Sequence, residues 1–183
     1  METDYGKIKL NPLFEPIKKI FEFFILGIGF VTQKDFQNIF LQIQPSFAPF
    51  VDTFNKEVNL RVEAGSVKAE AGLYWVNIGR LMAISLFDIL QFSKKYHNLV
   101  KNTEIFKFAK HIRNGAAHDN KFDLNPPIKN PICWGGRKTI SQNLNDTKVF
   151  PDFISSSDLI ILMSDISALI EEKLANQKRQ HST

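Results

Sequence analysis

The sequence predicts an all-α, single-domain protein, and three observations carry that prediction. Apolar residues recur at three- and four-residue steps through most of the chain. Helical order breaks at one stretch, residues 119–155, where Pro126, Pro127, Pro131 and Pro151 fall. A length of 183 residues with 44% hydrophobic content suffices for one sizeable core. The expected architecture is a bundle of about five helices with its core over about 10–176. A loop with a small β-hairpin at 119–155 precedes the last helix, and a disordered tail covers 177–183.

Each element has its own signal. From Pro12 to about Phe30, Leu13, Ile17, Ile20, Phe21, Phe24 and Ile28 mark one helical face, with Pro12 near the start where its missing N–H costs little. A second helix is expected from Thr32 or Lys34 to Gln44, before a turn at Pro45 to Pro49. Phe50 to Glu63 is mixed in pattern and suits a shorter helix. From Val67 to Ser93 apolar residues fall on nearly every side, as befits the middle of a bundle, and Lys94, Lys95 and His97 give that helix a polar end. Thr103 caps the next helix, which runs through Ile105, Phe108, Ala109 and Ile112 to a stop at Gly115. Ile132 to Ile140 places Gly135-Gly136 between β-prone residues, a hairpin signal. Ser155-Ser156-Ser157-Asp158 opens the final helix, carried by Leu159, Leu162, Met163, Ile166, Leu169, Ile170 and Leu174.

Composition narrows the function classes. The single cysteine, Cys133, rules out an intrachain disulfide and any multi-cysteine metal cluster and fits a reducing, cytoplasmic setting, where it reads as a small buried hydrophobe. The apolar run Ile20–Val31 contains Glu22, Gly27 and Gly29 and is too short to span a membrane. Seventeen Phe residues are more apolar surface than one monomer readily hides, so an oligomer is expected. The net charge of +4 is unevenly spread: residues 94–129 hold eight Lys or Arg against three acids, which leaves the rest of the chain about neutral. A polyanion would be drawn to that region.

Within it lies Arg113-Asn114-Gly115-Ala116-Ala117-His118. Arg113 falls on the flank of the apolar stripe, where a guanidinium needs a partner. On one continuous helix, Arg113 and His118 would project about 140° apart, so their convergence needs the helix to end between them, for which Gly115 gives room. An Arg and a His in a basic groove suit transesterification at an RNA phosphodiester, in which the ribose 2′-hydroxyl attacks phosphorus. Imidazole moves protons at neutral pH, and the guanidinium fork matches charge on phosphate oxygens. Asn114 is placed to position a phosphate or hold the imidazole. Lys107, Lys110, His111, Lys121 and Arg137 are the candidate RNA contacts, and no metal ligand set and no cofactor are expected.

The segment Arg113-Asn114-x-x-x-His118 near a helix end resembles the signature of the HEPN superfamily (higher eukaryotes and prokaryotes nucleotide-binding domain). The helical likeness runs from about Lys68 to Leu174. The resemblance implies a metal-independent endoribonuclease of a toxin–antitoxin or other host-defence system. It also implies a homodimer in which Arg and His of two protomers meet across a cleft, and an antitoxin or other protein partner. Where some branches of the family carry Tyr two residues after the His, this chain has Asn120, and its proline-containing loop is an insertion relative to a minimal bundle.

Plainer readings stand beside these. Arg113 suits a structural ion pair with Asp88 or Glu70, and His118 a turn residue. His111 and His97 suit ordinary surface histidines. Trp134 and Arg137 suit either base stacking with a phosphate grip or a packed Trp closing the bundle. Two other functions fit: a non-catalytic RNA- or nucleotide-binding module of the same fold, or a helical interaction subunit built on the Phe-rich N-terminal helices.

Overall fold

In a computed structural model of the chain, residues 10–31 and 71–180 are described. The expected helix from Thr32 or Lys34 to Gln44, the turn at Pro45 to Pro49 and the element from Phe50 to Glu63 lie outside them. The described residues form five α-helices: α1 (Glu15–Val31), α2 (Ala71–Phe92), α3 (Lys94–Val100), α4 (Glu104–Ala117) and α5 (Ser156–Gln180). A two-stranded antiparallel hairpin, β1 (Ile132–Trp134) and β2 (Lys138–Ile140), precedes α5. The fold is therefore mostly helical, with the hairpin where the glycine pair placed it.

The chain divides into two compact units, Met1–Lys19 with Trp75–Thr183, and Ile20–Tyr74. In the smaller unit, the described part of α1 buries Phe21 and exposes Ile20, Phe23, Ile25 and Leu26. No helix among the described residues is long and apolar enough to cross a membrane.

The larger unit holds the core. A 3₁₀ turn at Pro12–Phe14 begins at Asn11, whose side chain accepts the Leu13 N–H at 3.1 Å. The Asn11 N–H in turn donates to Ser167 Oγ on α5 at 2.9 Å, which ties the N-terminal segment to the last helix. Helix α2 contributes Ile78, Met82, Leu86 and Leu90, and α4 contributes Phe108, Ala109 and Ile112. On α5, Leu159, Leu162, Met163, Ile166 and Ile170 are buried at the spacing of one helical face. The α5 start is a reciprocal cap: Ser155 Oγ accepts from Asp158 N at 3.1 Å, and Asp158 Oδ2 accepts from Ser155 N at 2.9 Å.

Three boundaries differ from expectation. The polar end of α2 is a separate helix, because the backbone breaks at Ser93 and α3 restarts at Lys94. That break lets α3 pack on α5 and lets His97 stack on Phe106, centroids 5.4 Å apart. The final helix runs on to Gln180, past Gln177, with Lys178 and Arg179 in its last turn where cations suit the helix dipole. The helix expected to stop at Gly115 continues to Ala117.

The loop segments on either side of the hairpin hold each other. Residues 120–124 pair with 144–150 through Phe122 N to Thr147 O, Asp146 N to Phe122 O and Val149 N to Asn120 O, each at 2.8–2.9 Å. Asn120 completes the pairing with its side chain, donating to Phe150 O at 2.6 Å and accepting from Phe150 N at 3.0 Å. Phe122, Leu124, Val149, Phe150 and Ile154 turn inward, so this proline-containing stretch closes the core.

Candidate functional site

Helix α4 carries the Arg-Asn-x-x-x-His segment. Its N-terminus is capped by Thr103, whose hydroxyl accepts the Phe106 N–H at 3.4 Å. Its C-terminus is His118, which leaves the helix at φ −104°, ψ 86° while its N–H still bonds Asn114 O at 2.9 Å. Asp119 and Asn120 then take φ of 55° and 60°. Both are residue types that tolerate left-handed backbone, so this dipeptide, not Gly115, turns the chain out of the helix.

Gly115 serves packing instead. A Cβ there would stand 2.4 Å from Val149 Cγ2 and 3.0 Å from Lys121 O, so only glycine lets the paired loop segments lie against α4. Because α4 is unbroken from Arg113 to Ala117, the five-residue step leaves Arg113 and His118 about 140° apart around its axis. Within the chain, the helix end does not bring them together.

Arg113 is half-buried, and its Nε donates to Asp88 Oδ1 on α2 at 3.3 Å. This is one of the two ion pairs the sequence suggested. Asn114, half-buried, contributes its carbonyl to the helix end. His118 is exposed and lines an open pocket of about 530 Å³ with Ala117, Asp119, Lys121, Phe122, Asp123 and Asp146. Three carboxylates around this imidazole make the pocket less positive than the surrounding sequence, since Asp146 arrives from the far side of the hairpin. Lys121 has a second cation opposite it, Lys148, across an antiparallel bridge.

The other candidates are dispersed. Lys107 is exposed and holds Glu104 at 2.7 Å, and Lys110 is exposed. His111 was expected on the open surface but is half-buried, and burial, with Lys110 beside it, lowers its pKa. Arg137 sits on the hairpin with its Nε 3.4 Å from Asp165 Oδ2 of α5, and its guanidinium lies over the Trp134 ring. Trp134 is buried and donates Nε1–H to the same carboxylate oxygen at 2.8 Å. It packs on Phe108, centroids 5.5 Å apart, and is the closing Trp of the core. Cys133, read as buried, is exposed, because strand alternation turns it away while Ile132 and Trp134 face inward. Among the described residues no group of three His, Cys, Asp or Glu is placed to hold a metal ion.

One residue escaped the sequence reading. Arg80 of α2 donates Nε–H to Ala116 O at 2.8 Å, at the carbonyl end of α4. A signal was present: Arg80 is the only charged residue from Ala71 to Phe87. A charge in so apolar a stretch is costly to retain without a polar partner. No protein-family model matches the chain, and no curated protein or solved structure matches it.

Proposed function

We propose that the chain is a HEPN-like, metal-independent endoribonuclease that works as a homodimer in the cytoplasm, in a host-defence or toxin–antitoxin type of system. The observation that carries this reading is the exposed imidazole of His118, fixed at the C-cap of α4 and open to a pocket that also holds Lys121. An imidazole so placed can take the proton from a ribose 2′-hydroxyl as that oxygen attacks phosphorus, or deliver one to the departing 5′-oxygen. The phosphodiester P–O bond breaks as the new one forms, leaving a 2′,3′-cyclic phosphate and a 5′-hydroxyl. Arg113, positioned by Asp88, offers its remaining N–H groups to phosphate oxygens in the transition state, and Asn114 supports the arrangement. The unbroken α4 favours assembly across a dimer, with Arg113 of one protomer facing His118 of the other. Such a nuclease would have a protein partner that silences it.

The test is cleavage of single-stranded RNA in EDTA by the wild type and by His118→Ala. Cyclic-phosphate ends from the wild type and loss of cleavage in the variant are expected, with the melting temperature unchanged because His118 is exposed. Equal cleavage by the variant would remove His118 from the chemistry.

The Arg113–Asp88 pair favours a second reading, since a guanidinium already holding a carboxylate also suits a purely structural role. In that case the chain is a non-catalytic RNA- or nucleotide-binding module, recognised by salt-dependent binding without turnover.

A further inference from the structure

We propose that the seam between α3 and α4 is a docking surface for single-stranded RNA, built on Lys94, Lys101 and Lys110. The inference deepens the nuclease reading and rests on it for the choice of RNA as the polyanion.

The three lysines gather around one contact. The His97 ring of α3 stacks on Phe106 of α4, centroids 5.4 Å apart and 23° between planes. Lys94 lies three residues before His97 and Lys101, still helical in its backbone, four after it; Lys110 lies four after Phe106. Neighbours at these steps share a side of their helix, so all three border the stack. Arg113, seven residues after Phe106, continues the same row of α4. The row therefore leads to the guanidinium that the nuclease reading places in the reaction.

The charge of this seam is uncompensated. Lys94, Lys101 and Lys110 are exposed, and among the described residues none has a carboxylate within ion-pair distance. Lys101 Nζ donates only to the neutral Asn98 Oδ1, at 3.1 Å. Residues 89–103 contain no acid, and the nearest acids in sequence are engaged: Glu104 with Lys107 at 2.7 Å, Asp88 with Arg113 at 3.3 Å. The carboxylate-lined His118 pocket lies toward the other end of α4, about 12 Å along the axis from Lys110. A cluster of like charges attracts a polyanion, which releases its counterions on docking. Neither α3 nor α4 exposes a large hydrophobic residue, so the seam lacks the apolar centre of a protein interface. Point charges on flexible stems suit a flexible chain of phosphates.

The experiment measures binding of the full chain to a labelled single-stranded 2′-O-methyl oligoribonucleotide across a potassium chloride series. This probe has an RNA backbone but no free 2′-hydroxyl, so it reports contact without cleavage. The double variant Lys94→Gln, Lys101→Gln is expected to bind about tenfold more weakly at low salt. Its slope of log Kd against log salt should flatten by about 1.4, two single-strand phosphate contacts at about 0.7 each. Lys94→Arg with Lys101→Arg keeps the charges and is expected to bind as the wild type does. Lys129→Gln with Lys178→Gln removes two exposed lysines elsewhere and should leave affinity and slope nearly unchanged. Equal losses in the two Gln pairs overturn the proposal, as do unchanged binding in the seam variant and a wild type that does not bind the probe. Binding of polyglutamate through Lys94 and Lys101 in place of the probe would make the partner an acidic protein segment and also overturn it. Seam-dependent binding without cleavage of unmodified RNA keeps this inference and removes the nuclease, whereas cleavage with an unaffected KM in the seam variant does the reverse.

Discussion

Gly115 and His111 illustrate what a residue's type conceals when its neighbours are distant in sequence. A glycine near the end of a helical pattern reads as a C-terminal stop, yet its missing side chain is filled by Val149 and the Lys121 backbone, which no local rule anticipates. Gly115→Ala tests this. Alanine is the better helix former by about 1 kcal/mol, so a purely helical glycine would be stabilised by the change. The overlap with Val149 instead predicts destabilisation of about 1–3 kcal/mol, read from urea unfolding. His111 reads as a surface residue beside two lysines, but burial and Lys110 hold its pKa below 6.5. The folded state therefore disfavours protonation, and the unfolded chain binds the proton more readily. Stability contributed by the neutral ring is present above about pH 6.5 and is lost as pH falls below that value. His111→Gln should show a flatter fall in melting temperature from pH 7 to pH 5 than the wild type. Parallel curves would contradict the assignment.

Most elements were legible because their signals are local. Thr103 as a cap, the Ser155–Asp158 box, the glycine pair of the hairpin and the face of α5 all depend on spacing within a few residues. The ends of α2 and α4 are set at single backbone positions, which the spacing of apolar residues does not record. For α4, the neglected local sign was Asp119-Asn120, the dipeptide that takes positive φ. The hairpin shows the same division: its strands were readable, but its docking on α5 is tertiary. Trp134 and Arg137 converge on Asp165, and Lys138 reaches Asp158 at 3.7 Å. Trp134→Phe keeps a ring in the core and removes the indole N–H, and a loss of about 1–3 kcal/mol is expected in thermal or urea unfolding. Weaker RNA binding with unchanged stability would instead mark Trp134 as a stacking platform.

At the scale of the whole molecule, the electrostatics around His118 follow from folding and not from the charge count of the sequence. The basic stretch 94–129 is real as composition, yet its Lys107 and Lys110 do not line the His118 pocket, nor does Arg137 of the hairpin, and folding adds Asp146 there. The same folding leaves α4 continuous, so one protomer holds Arg113 toward Asp88 on α2 and His118 at the helix end. Exposed Leu81 and Phe92 lie three turns apart on one face of α2, the helix that also carries Asp88. That apolar surface agrees with a dimer that buries it near Arg113, and Phe92→Asp is expected to shift the protein toward monomer in sedimentation and to lower RNA cleavage in parallel. A variant that remains dimeric and fully active would separate this face from assembly. The central claim is that a guanidinium of one protomer and an imidazole of the other act together, and mixed dimers test it most directly. Arg113→Ala and His118→Ala, each inactive alone, are unfolded together, refolded as a mixture and assayed for RNA cleavage in EDTA. The account predicts that the mixture recovers a substantial part of wild-type activity, because a dimer of one of each retains one intact site. A mixture as inactive as its components, under conditions where the wild type cuts, would contradict it.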